Sequence, residues 1–198
     1  MYQKYIKNIL DFLLALILLI LLSPIFLIIA IISKIEEPDG TVYFKQERAG
    51  MYNMPFLCYK FRSMKMTAPK NASTWELEHP EEFITPLGKF LRKTSLDELP
   101  QLINILRGEM SFVGPRPVIL KENELLDLRA ANGAYVAKPG ITGLSQISGR
   151  DNLSPKLKAE TDGKYAENIS FINDLKILLM TIPKVLSSEG VTEGKQNF

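Results

Sequence analysis

A long apolar segment near the N-terminus constrains this chain more than any other feature. Residues 9–32 read "ILDFLLALILLILLSPIFLIIAII", 24 positions that are almost all apolar. As a helix they would extend roughly 36 Å, against a hydrocarbon thickness of about 30 Å, so the segment must enter lipid. The following "SKIEEPDG" lacks the small residues of a signal-peptide cleavage site, and we expect the segment to remain in the mature protein.

Ser23 and Pro24 divide this segment, and neither part is long enough to cross a bilayer alone. Hydropathy by itself favours a spanning helix with a tolerated proline kink. The alternative is a re-entrant hairpin, because proline removes a backbone donor while the serine hydroxyl can bond back to the backbone. Lys4 and Lys7 place the N-terminus on the cytoplasmic side, so a true span would put residues 34–198 on the opposite side.

The composition excludes several chemistries. The 24 basic and 22 acidic residues leave a net charge of +2, which implies no nucleic-acid partner. Cys58 is the single cysteine and His79 the single histidine, so an internal disulfide, a zinc-thiolate centre and a histidine-based triad are not expected. Catalysis would have to depend on carboxylates, lysines and arginines.

The segment after the apolar stretch has the pattern of a small β-hairpin. "TVYFKQERAG" and "MPFLCYKFRSMKM" each begin with β-branched or aromatic residues, and a turn at Gly50 separates them. Against Glu47 this ribbon carries five basic residues, namely Lys45, Arg48, Lys60, Arg62 and Lys65. Such a charge suits phosphates or anionic headgroups, and it also suits a solvated strand face.

Two later segments are predicted to be amphipathic helices. "FITPLGKFLRKTSL" and "SFINDLKILLMTIPKVLSS" both place apolar residues at helical spacing beside lysines and arginines. This composition is typical of a helix lying in a headgroup layer, and a helix facing a protein core explains the apolar positions equally well. No second domain boundary or internal repeat is visible after residue 36.

An adjacent acidic pair, Asp97 and Glu98, is the first candidate for chemistry. Ser95 followed three residues later by Glu98 has the spacing of a capping box, which would make the pair a helix cap. Pro100 favours a non-helical turn before a helix that begins near residues 99–100, which leaves the carboxylates at a helix mouth. Both interpretations are open at this point. A reactive pair of this kind would suit Mg²⁺, which is usually held by one or two carboxylates and phosphate oxygens.

Two arginines follow in settings that suit phosphate binding. Arg116 lies between Pro115 and Pro117 after Gly114, so the backbone on both sides of its guanidinium is restrained. Arg150 ends "KPGITGLSQISGR", a glycine-rich segment whose amides could approach an anion closely. A restrained arginine suits a bidentate grip on phosphate, although plain turn chemistry also explains a glycine-rich loop.

Taken together, these motifs resemble the bacterial sugar transferase family. The resemblance rests on the apolar segment with Ser23 and Pro24, on "YKFRSM", "SLDELPQLINILRGEMSFVGPRP" and "KPGITGLSQISGRD", and on "YAENISFINDLKILLMTI". It covers nearly the whole chain. The family comprises monotopic phosphoglycosyl transferases that start O-antigen, capsule and glycoprotein glycans on undecaprenyl phosphate.

The resemblance implies a mechanism and roles for the candidate residues. Asp97 would attack the sugar-bearing phosphorus of a UDP-sugar, release UMP and hold a phosphosugar that undecaprenyl phosphate then takes. Glu98 would help to bind Mg²⁺ or assist the proton balance, so that both carboxylates are catalytic and metal-binding candidates. The phosphate-binding candidates are Lys60, Arg62, Arg116 and Arg150.

The resemblance also implies an architecture and a location. We expect an α+β, mainly helical chain. Residues 1–36 would form a re-entrant membrane anchor, two helices with a break between them. Residues 37–198 would form a catalytic domain with a small β-hairpin and amphipathic interfacial helices around the active site. This reverses the hydropathy preference for a span and puts the site on the cytoplasmic face of the bacterial inner membrane. The lipid bilayer and a possible homodimer complete the expected partners.

Two alternatives have different consequences. A membrane-associated hydrolase of nucleotide diphosphate sugars would release sugar phosphate without a lipid acceptor, and a non-catalytic membrane scaffold would use the acidic pair only as a cap. The sequence assigns no chemical role to Asp174, which we interpret as a structural residue or one that supports the site indirectly. It assigns no role to residues 66–86 and 119–137, and it does not identify the sugar.

Overall fold

The structure, a computed structural model, describes residues 1–69, 77, 79–149 and 152–187, and within them the chain is mainly helical. The helices are α1 Lys7–Leu21, α2 Ser23–Glu36, α3 Pro86–Thr94, α4 Gln101–Leu106, α5 Asn123–Ala131, α6 Leu144–Ser148, α7 Pro155–Glu167 and α8 Phe171–Ser187. The strands are β1 Tyr43–Ala49, β2 Pro55–Phe61, β3 Ser111–Val113 and β4 Gly140–Thr142. The prediction of a mainly helical chain with a small antiparallel sheet is confirmed.

The apolar segment forms two helices with a break at the predicted position. Helix α1 ends at Leu21 and α2 begins at Ser23, with Pro24 in its first turn, where a missing backbone N–H does no harm. The Ser23 hydroxyl donates to the carbonyl of Ile20 at 2.8 Å, the back-bonding expected of a serine at a bend. No single helix of the described chain is long and apolar enough to cross a membrane. The helical segments Tyr2–Leu21 and Ser23–Glu36, bent by 59°, meet that criterion only as a pair.

The predicted hairpin is present, and a second small sheet accompanies it. Strands β1 and β2 pair antiparallel around a turn at Met51–Asn53. Strands β3 and β4 pair in parallel, with Ser111 opposite Gly140 and Val113 opposite Thr142. The sequence did not predict this second sheet, because strands of three residues are too short for an alternating pattern to be recognised.

Helix α1 packs into the protein core and also exposes several large apolar residues. Ala15 is fully buried in a cluster with Leu102 and Ile105 of α4. Helix α2 packs separately, with Ile29 against Phe61 and Leu91. The division into residues 1–36 and 37–198 stays a prediction, since α2 ends at Glu36 but both helices contact later elements.

Asp174 of α8 joins the N-terminal helix to the rest of the molecule. Its carboxylate accepts from the Lys7 ammonium at 2.6 Å and from the Tyr2 hydroxyl at 2.7 Å. The Tyr165 hydroxyl lies 2.7 Å from Asp174 and 2.9 Å from the carbonyl of Val113 in β3. Asp174 therefore joins α1 to α7 and, through Tyr165, to β3, which agrees with the interpretation of Asp174 as a structural residue.

Helix α8 is amphipathic as predicted. Asp174 and Ile177 are buried on one side. The opposite side exposes a row of large apolar residues at helical spacing, namely Ile172, Leu175, Leu179 and Ile182. Helix α3 shows both predicted environments, because Leu91 is fully buried while the neighbouring Phe90 is exposed.

Candidate active site

The acidic pair occupies a 3₁₀ turn between two helices. Helix α3 ends at Thr94, and Ser95 takes a left-handed conformation with φ of 57° that stops it. Asp97 and Glu98 follow in the turn Leu96–Glu98, and α4 begins just after Pro100. The predicted non-helical turn is present. Among the described residues the Ser95 side chain makes no capping hydrogen bond to this turn, so the capping-box interpretation is wrong.

Two cations converge on Glu98. Its Oε1 atom lies 2.8 Å from Nζ of Lys60 in β2 and 3.1 Å from a guanidinium nitrogen of Arg116. Asp97 lies 3.9 Å from the same ammonium, beyond hydrogen-bond distance. The side chains of Asp97 and Glu98 are 13% and 9% exposed, whereas those of Lys60 and Arg116 are 22% and 31% exposed. The cations therefore form the outer, more accessible part of the site.

The backbone around Arg116 is fixed by the second sheet. The Gly114 N–H donates to the carbonyl of Thr142, and the Gly140 N–H donates to the carbonyl of Pro115, both at 2.9 Å. Gly114 is required here, because a Cβ atom at this position would lie 2.1 Å from the carbonyl oxygen of Lys138. Strand β3 thus carries the chain directly to the guanidinium that contacts Glu98.

A buried ion pair holds the same segment from the other side. Arg129 of α5 donates to the backbone carbonyl of Arg116 at 3.0 Å. Its other nitrogens donate to Asp162 of α7 at 2.6 and 2.9 Å, and Ser145 donates to the second Asp162 oxygen at 2.8 Å. Arg129, Asp162 and Ser145 are all buried, so this network is shielded from water and geometrically restrained.

Burial dominates the electrostatics of Asp97. Removal from water raises the pKa of this carboxyl above its ordinary range, and the nearby Glu98 charge raises it further. The positive charges of Lys60, Arg92 and Arg116 lower the pKa and partly offset that effect. The site therefore balances a desolvated carboxylate against three cations, an arrangement typical of functional sites.

The structure brings together some of the predicted phosphate-binding residues. Lys60 and Arg116 both contact Glu98 directly, and Lys60 lies 3.9 Å from Asp97. Arg62 donates to the carbonyl of Thr41 at 2.9 Å and lies over the ring of Phe44, so its contacts are away from the pair. Its phosphate-binding role stays a prediction. Arg150 lies outside the described residues.

Three arginines around the site were not among the candidate site residues predicted from the sequence. Arg92 affects the pKa of Asp97, and its place five residues before the pair, in α3, was the available signal. Arg48 of β1 lies close enough for the charges of Glu98 and Arg116 to influence its own pKa. Arg129 is 13 positions from the residue it holds, and nothing in its local sequence indicates that contact.

The acidic pair fits a magnesium ion better than a protein-enclosed metal centre. The described residues contain no cluster of three or more histidine, cysteine or acidic side chains suited to a metal. Mg²⁺ usually keeps several waters and binds one or two carboxylates plus substrate phosphates, which an adjacent pair can provide. Because the Oε1 atom of Glu98 is already shared by two cations, Asp97 is the better placed of the two carboxylates to hold a magnesium ion.

Comparison with known proteins identifies the family. The family description "Bacterial sugar transferase" matches residues 2–188, so the chain belongs to the bacterial sugar transferases. It is 43% identical to the uncharacterized sugar transferase EpsL of Bacillus subtilis over 95% of this chain and 91% of that protein. The predicted family membership is confirmed, and the chain is a transferase enzyme.

Two further relatives carry names that state a reaction. The undecaprenyl-phosphate galactose phosphotransferase of Salmonella typhimurium is 36% identical over 95% of this chain, which spans 42% of that protein. The UDP-glucose:undecaprenyl-phosphate glucose-1-phosphate transferase of Caulobacter vibrioides is 36% identical over 92% of this chain and 70% of that protein. These relatives support a phosphoglycosyl transferase role.

Proposed function

We propose that this protein transfers a sugar 1-phosphate from a UDP-sugar to undecaprenyl phosphate through a covalent phosphosugar on Asp97. The observation that carries the proposal is the contact of Glu98 with Lys60 and Arg116 beside the buried Asp97. In place of a helix cap, the pair forms a desolvated carboxylate site bordered by two phosphate-compatible cations. The names of the two relatives above describe transfer onto the same lipid phosphate.

The proposed chemistry proceeds in two displacements at one phosphorus atom. An ionised oxygen of Asp97 forms a bond to the sugar-bearing phosphorus, and the bond from that phosphorus to UMP breaks. In the second displacement an oxygen of undecaprenyl phosphate attacks the aspartyl phosphosugar, and the aspartyl–phosphorus bond breaks to restore the carboxylate. Lys60 and Arg116 balance the phosphate charge in both, and Glu98 holds these cations in place.

A magnesium ion fits this scheme. Asp97 would hold it together with phosphate oxygens of the donor, with Glu98 in the adjacent position. When bound, Mg²⁺ would supply charge neutralisation that lets an anionic nucleophile approach a diphosphate.

The bent helix pair suits an anchor that dips into one leaflet. A bend of 59° leaves an angle of 121° between the two arms, which are about 30 and 21 Å long at 1.5 Å per residue. If both arms end at the same surface, the apex lies about 10–15 Å deep, which is one leaflet of an approximately 30 Å hydrocarbon core. The exposed apolar side of α8 suits the same membrane surface. We propose the cytoplasmic face of the inner membrane, where a soluble nucleotide sugar meets a lipid phosphate.

The test uses full-length protein in lipid nanodiscs with Mg²⁺ and a UDP-sugar labelled in the sugar. We expect UMP release and a labelled protein, and then transfer of the label to added undecaprenyl phosphate. Asp97→Asn should abolish both UMP release and labelling. Asp127→Asn is the matched control, since it makes the same change on the exposed side of α5.

Other outcomes of this experiment favour the alternatives. Free labelled sugar phosphate formed without lipid acceptor would indicate a hydrolase. Asp97→Asn protein that turns over like the wild type would contradict a nucleophilic role for Asp97. Absence of UMP release across a panel of UDP-sugars, from protein that stays folded, would contradict the proposed function itself.

A further inference from the structure

A groove of about 840 Å³ runs along the outer edge of β1. One wall is formed by residues 41–47 together with Leu57 and Arg62 from the neighbouring β2 segment, and residues 119–121 form the other wall. This volume lies within the range of roughly 300–1,000 Å³ that small-molecule sites occupy. Residues 119–121 belong to a stretch for which the sequence indicated no role.

The groove adjoins the candidate active site through both of its walls. Phe44 lines the groove and is the cross-strand partner of Lys60, so the two side chains lie on the same face of the hairpin. Ile119 lines the other wall three residues after Arg116, and it bridges to Arg48 of β1. The two cations that contact Glu98 therefore lie on the elements that continue into the groove.

The β1 edge that faces the groove carries unused hydrogen-bonding groups. The Ala49 N–H donates outward to the carbonyl of Val118, whereas the backbone of Val42 pairs inward with that of Arg62. Because backbone direction alternates along a strand, the odd-numbered residues of β1 point outward. Lys45 thus presents its N–H and C=O groups to the groove, and Glu47 presents its N–H, whereas the Glu47 C=O lies within the bridge between Arg48 and Ile119. In the described part of the chain, β1 pairs with β2 alone apart from the single bridge at Arg48.

The opposite edge of the same hairpin shows what satisfies such groups. The buried side-chain amide of Asn104 accepts from the Tyr59 N–H at 3.0 Å and donates to the carbonyl of Leu57 at 2.7 Å. A planar amide therefore replaces a neighbouring strand on β2. Uracil carries the same pattern, an N–H beside carbonyl oxygens, in one planar imide edge.

We infer that this groove binds the nucleoside of the UDP-sugar donor, with the uracil imide edge hydrogen-bonded to the outward backbone of Lys45 and Glu47. The inference rests on the proposed function for the identity of the donor. This inference places the diphosphate of the donor between Lys60 and Arg116, and the uracil base at β1, the strand next to the one that carries Lys60. Charged side chains around the groove, those of Lys45, Glu47, Arg62 and Lys121, suit a nucleotide and disfavour an isoprenoid tail.

The experiment measures UMP binding to the full-length protein in nanodiscs by isothermal titration calorimetry. Lys45→Pro removes one outward N–H and no bond to β2, and proline is tolerated on the outer side of an edge strand. Lys45→Ala loses the same side chain but keeps the N–H, so the difference between these variants reports the backbone contact. We expect Lys45→Pro to bind UMP about tenfold more weakly than Lys45→Ala, roughly the net contribution of one hydrogen bond.

A second arm leaves the protein unchanged. We expect N3-methyl-UMP, whose imide N–H is blocked, to bind wild-type protein about tenfold more weakly than UMP. Inorganic phosphate serves as the probe for the cations alone, and its affinity should be the same in both Lys45 variants.

The outcomes separate this inference from the proposed function. Equal binding of UMP and N3-methyl-UMP, with labelling of Asp97 still observed, would overturn the groove assignment and leave the transfer chemistry intact. Failure to release UMP from any UDP-sugar would instead count against the proposed function. If Lys45→Pro does not fold, the comparison of the two nucleotides on wild-type protein decides the question.

Discussion

The buried Arg129–Asp162 pair offers a perturbation that separates stability from activity. Asp162 accepts three hydrogen bonds, two from Arg129 and one from Ser145, and it is 1% exposed. Asp162→Leu removes all three and leaves the guanidinium of Arg129, itself 4% exposed, without its carboxylate. Arg129→Met combined with Asp162→Leu replaces the whole pair by apolar side chains.

The expected magnitudes follow from the desolvation of these groups. Breaking one side of a buried pair costs about 3–5 kcal/mol, whereas replacing both partners by apolar residues is often neutral or stabilising. For a chain of this size the single substitution should lower Tm by roughly 6–20 °C. The double substitution should recover most of that loss.

Activity should not recover with stability. The single variant keeps Arg129 but loses the carboxylate that restrains it, and the double variant loses the Arg129 donor to the backbone carbonyl of Arg116 altogether. Because a small misplacement of a substrate-positioning group can cost about 10²-fold in rate, we expect kcat/KM for UMP release to stay ten- to a hundredfold below wild type in the double variant. Tm by differential scanning fluorimetry and UMP release on the same nanodisc preparations are the two measurements.

Two results would refute this reasoning. A single variant as stable as the wild type would mean that the ion pair is not buried as described. A double variant with recovered stability and wild-type kcat/KM would mean that the contact of Arg129 with Arg116 does not position the site.

Three further predictions concern the site and its anchor. Burial raises the pKa of Asp97, and only the ionised carboxylate attacks, so UMP release should persist above that pKa and fall as pH drops through it. Lys60→Met removes a positive charge that lowers the pKa of Asp97. In a pH–rate profile this variant should therefore lose activity at a higher pH than the wild type does. Asp174→Asn should lower the free energy of unfolding by roughly 3 kcal/mol, because it leaves the buried Lys7 ammonium with Asp11, 4.0 Å away, as its remaining carboxylate partner. The same Tm for Asp174→Asn and Asp127→Asn would contradict this. Cysteines placed singly at positions 3 and 195 of a chain with Cys58 removed should both be labelled from the cytoplasmic side, and labelling from opposite sides would show a true span.

Local chemistry explains which parts of the fold the sequence could predict. The break at Ser23 and Pro24, the hairpin and the amphipathic α8 each arise from a residue type or a period that acts over a few positions. Strands β3 and β4 could not be predicted, because each has three residues and they are stabilised by pairing between segments about 29 positions apart. The packing of α1 on α4 is likewise a long-range contact that hydropathy does not reveal.

The difference between local sequence signals and long-range contacts also explains which residues of the candidate site could be predicted. Asp97, Glu98 and Arg116 were visible because prolines and glycines mark their backbone restraints. The capping-box spacing of Ser95 and Glu98 was misleading, since the left-handed Ser95 ends α3 instead of starting a helix. Arg92, Arg48 and Arg129 were not predicted as site residues, because an arginine in a helix or strand has no local signature of the group that it faces.

The covalent phosphosugar on Asp97 is the central claim, and peptide mass spectrometry tests it most directly. Full-length protein is incubated with Mg²⁺ and a UDP-sugar in the absence of lipid acceptor, quenched and digested. The account predicts a mass increase of one sugar phosphate on the peptide that contains Asp97, lost when undecaprenyl phosphate is added before quenching. An adduct on any other residue, or UMP release without an adduct under conditions that preserve aspartyl phosphates, would contradict it.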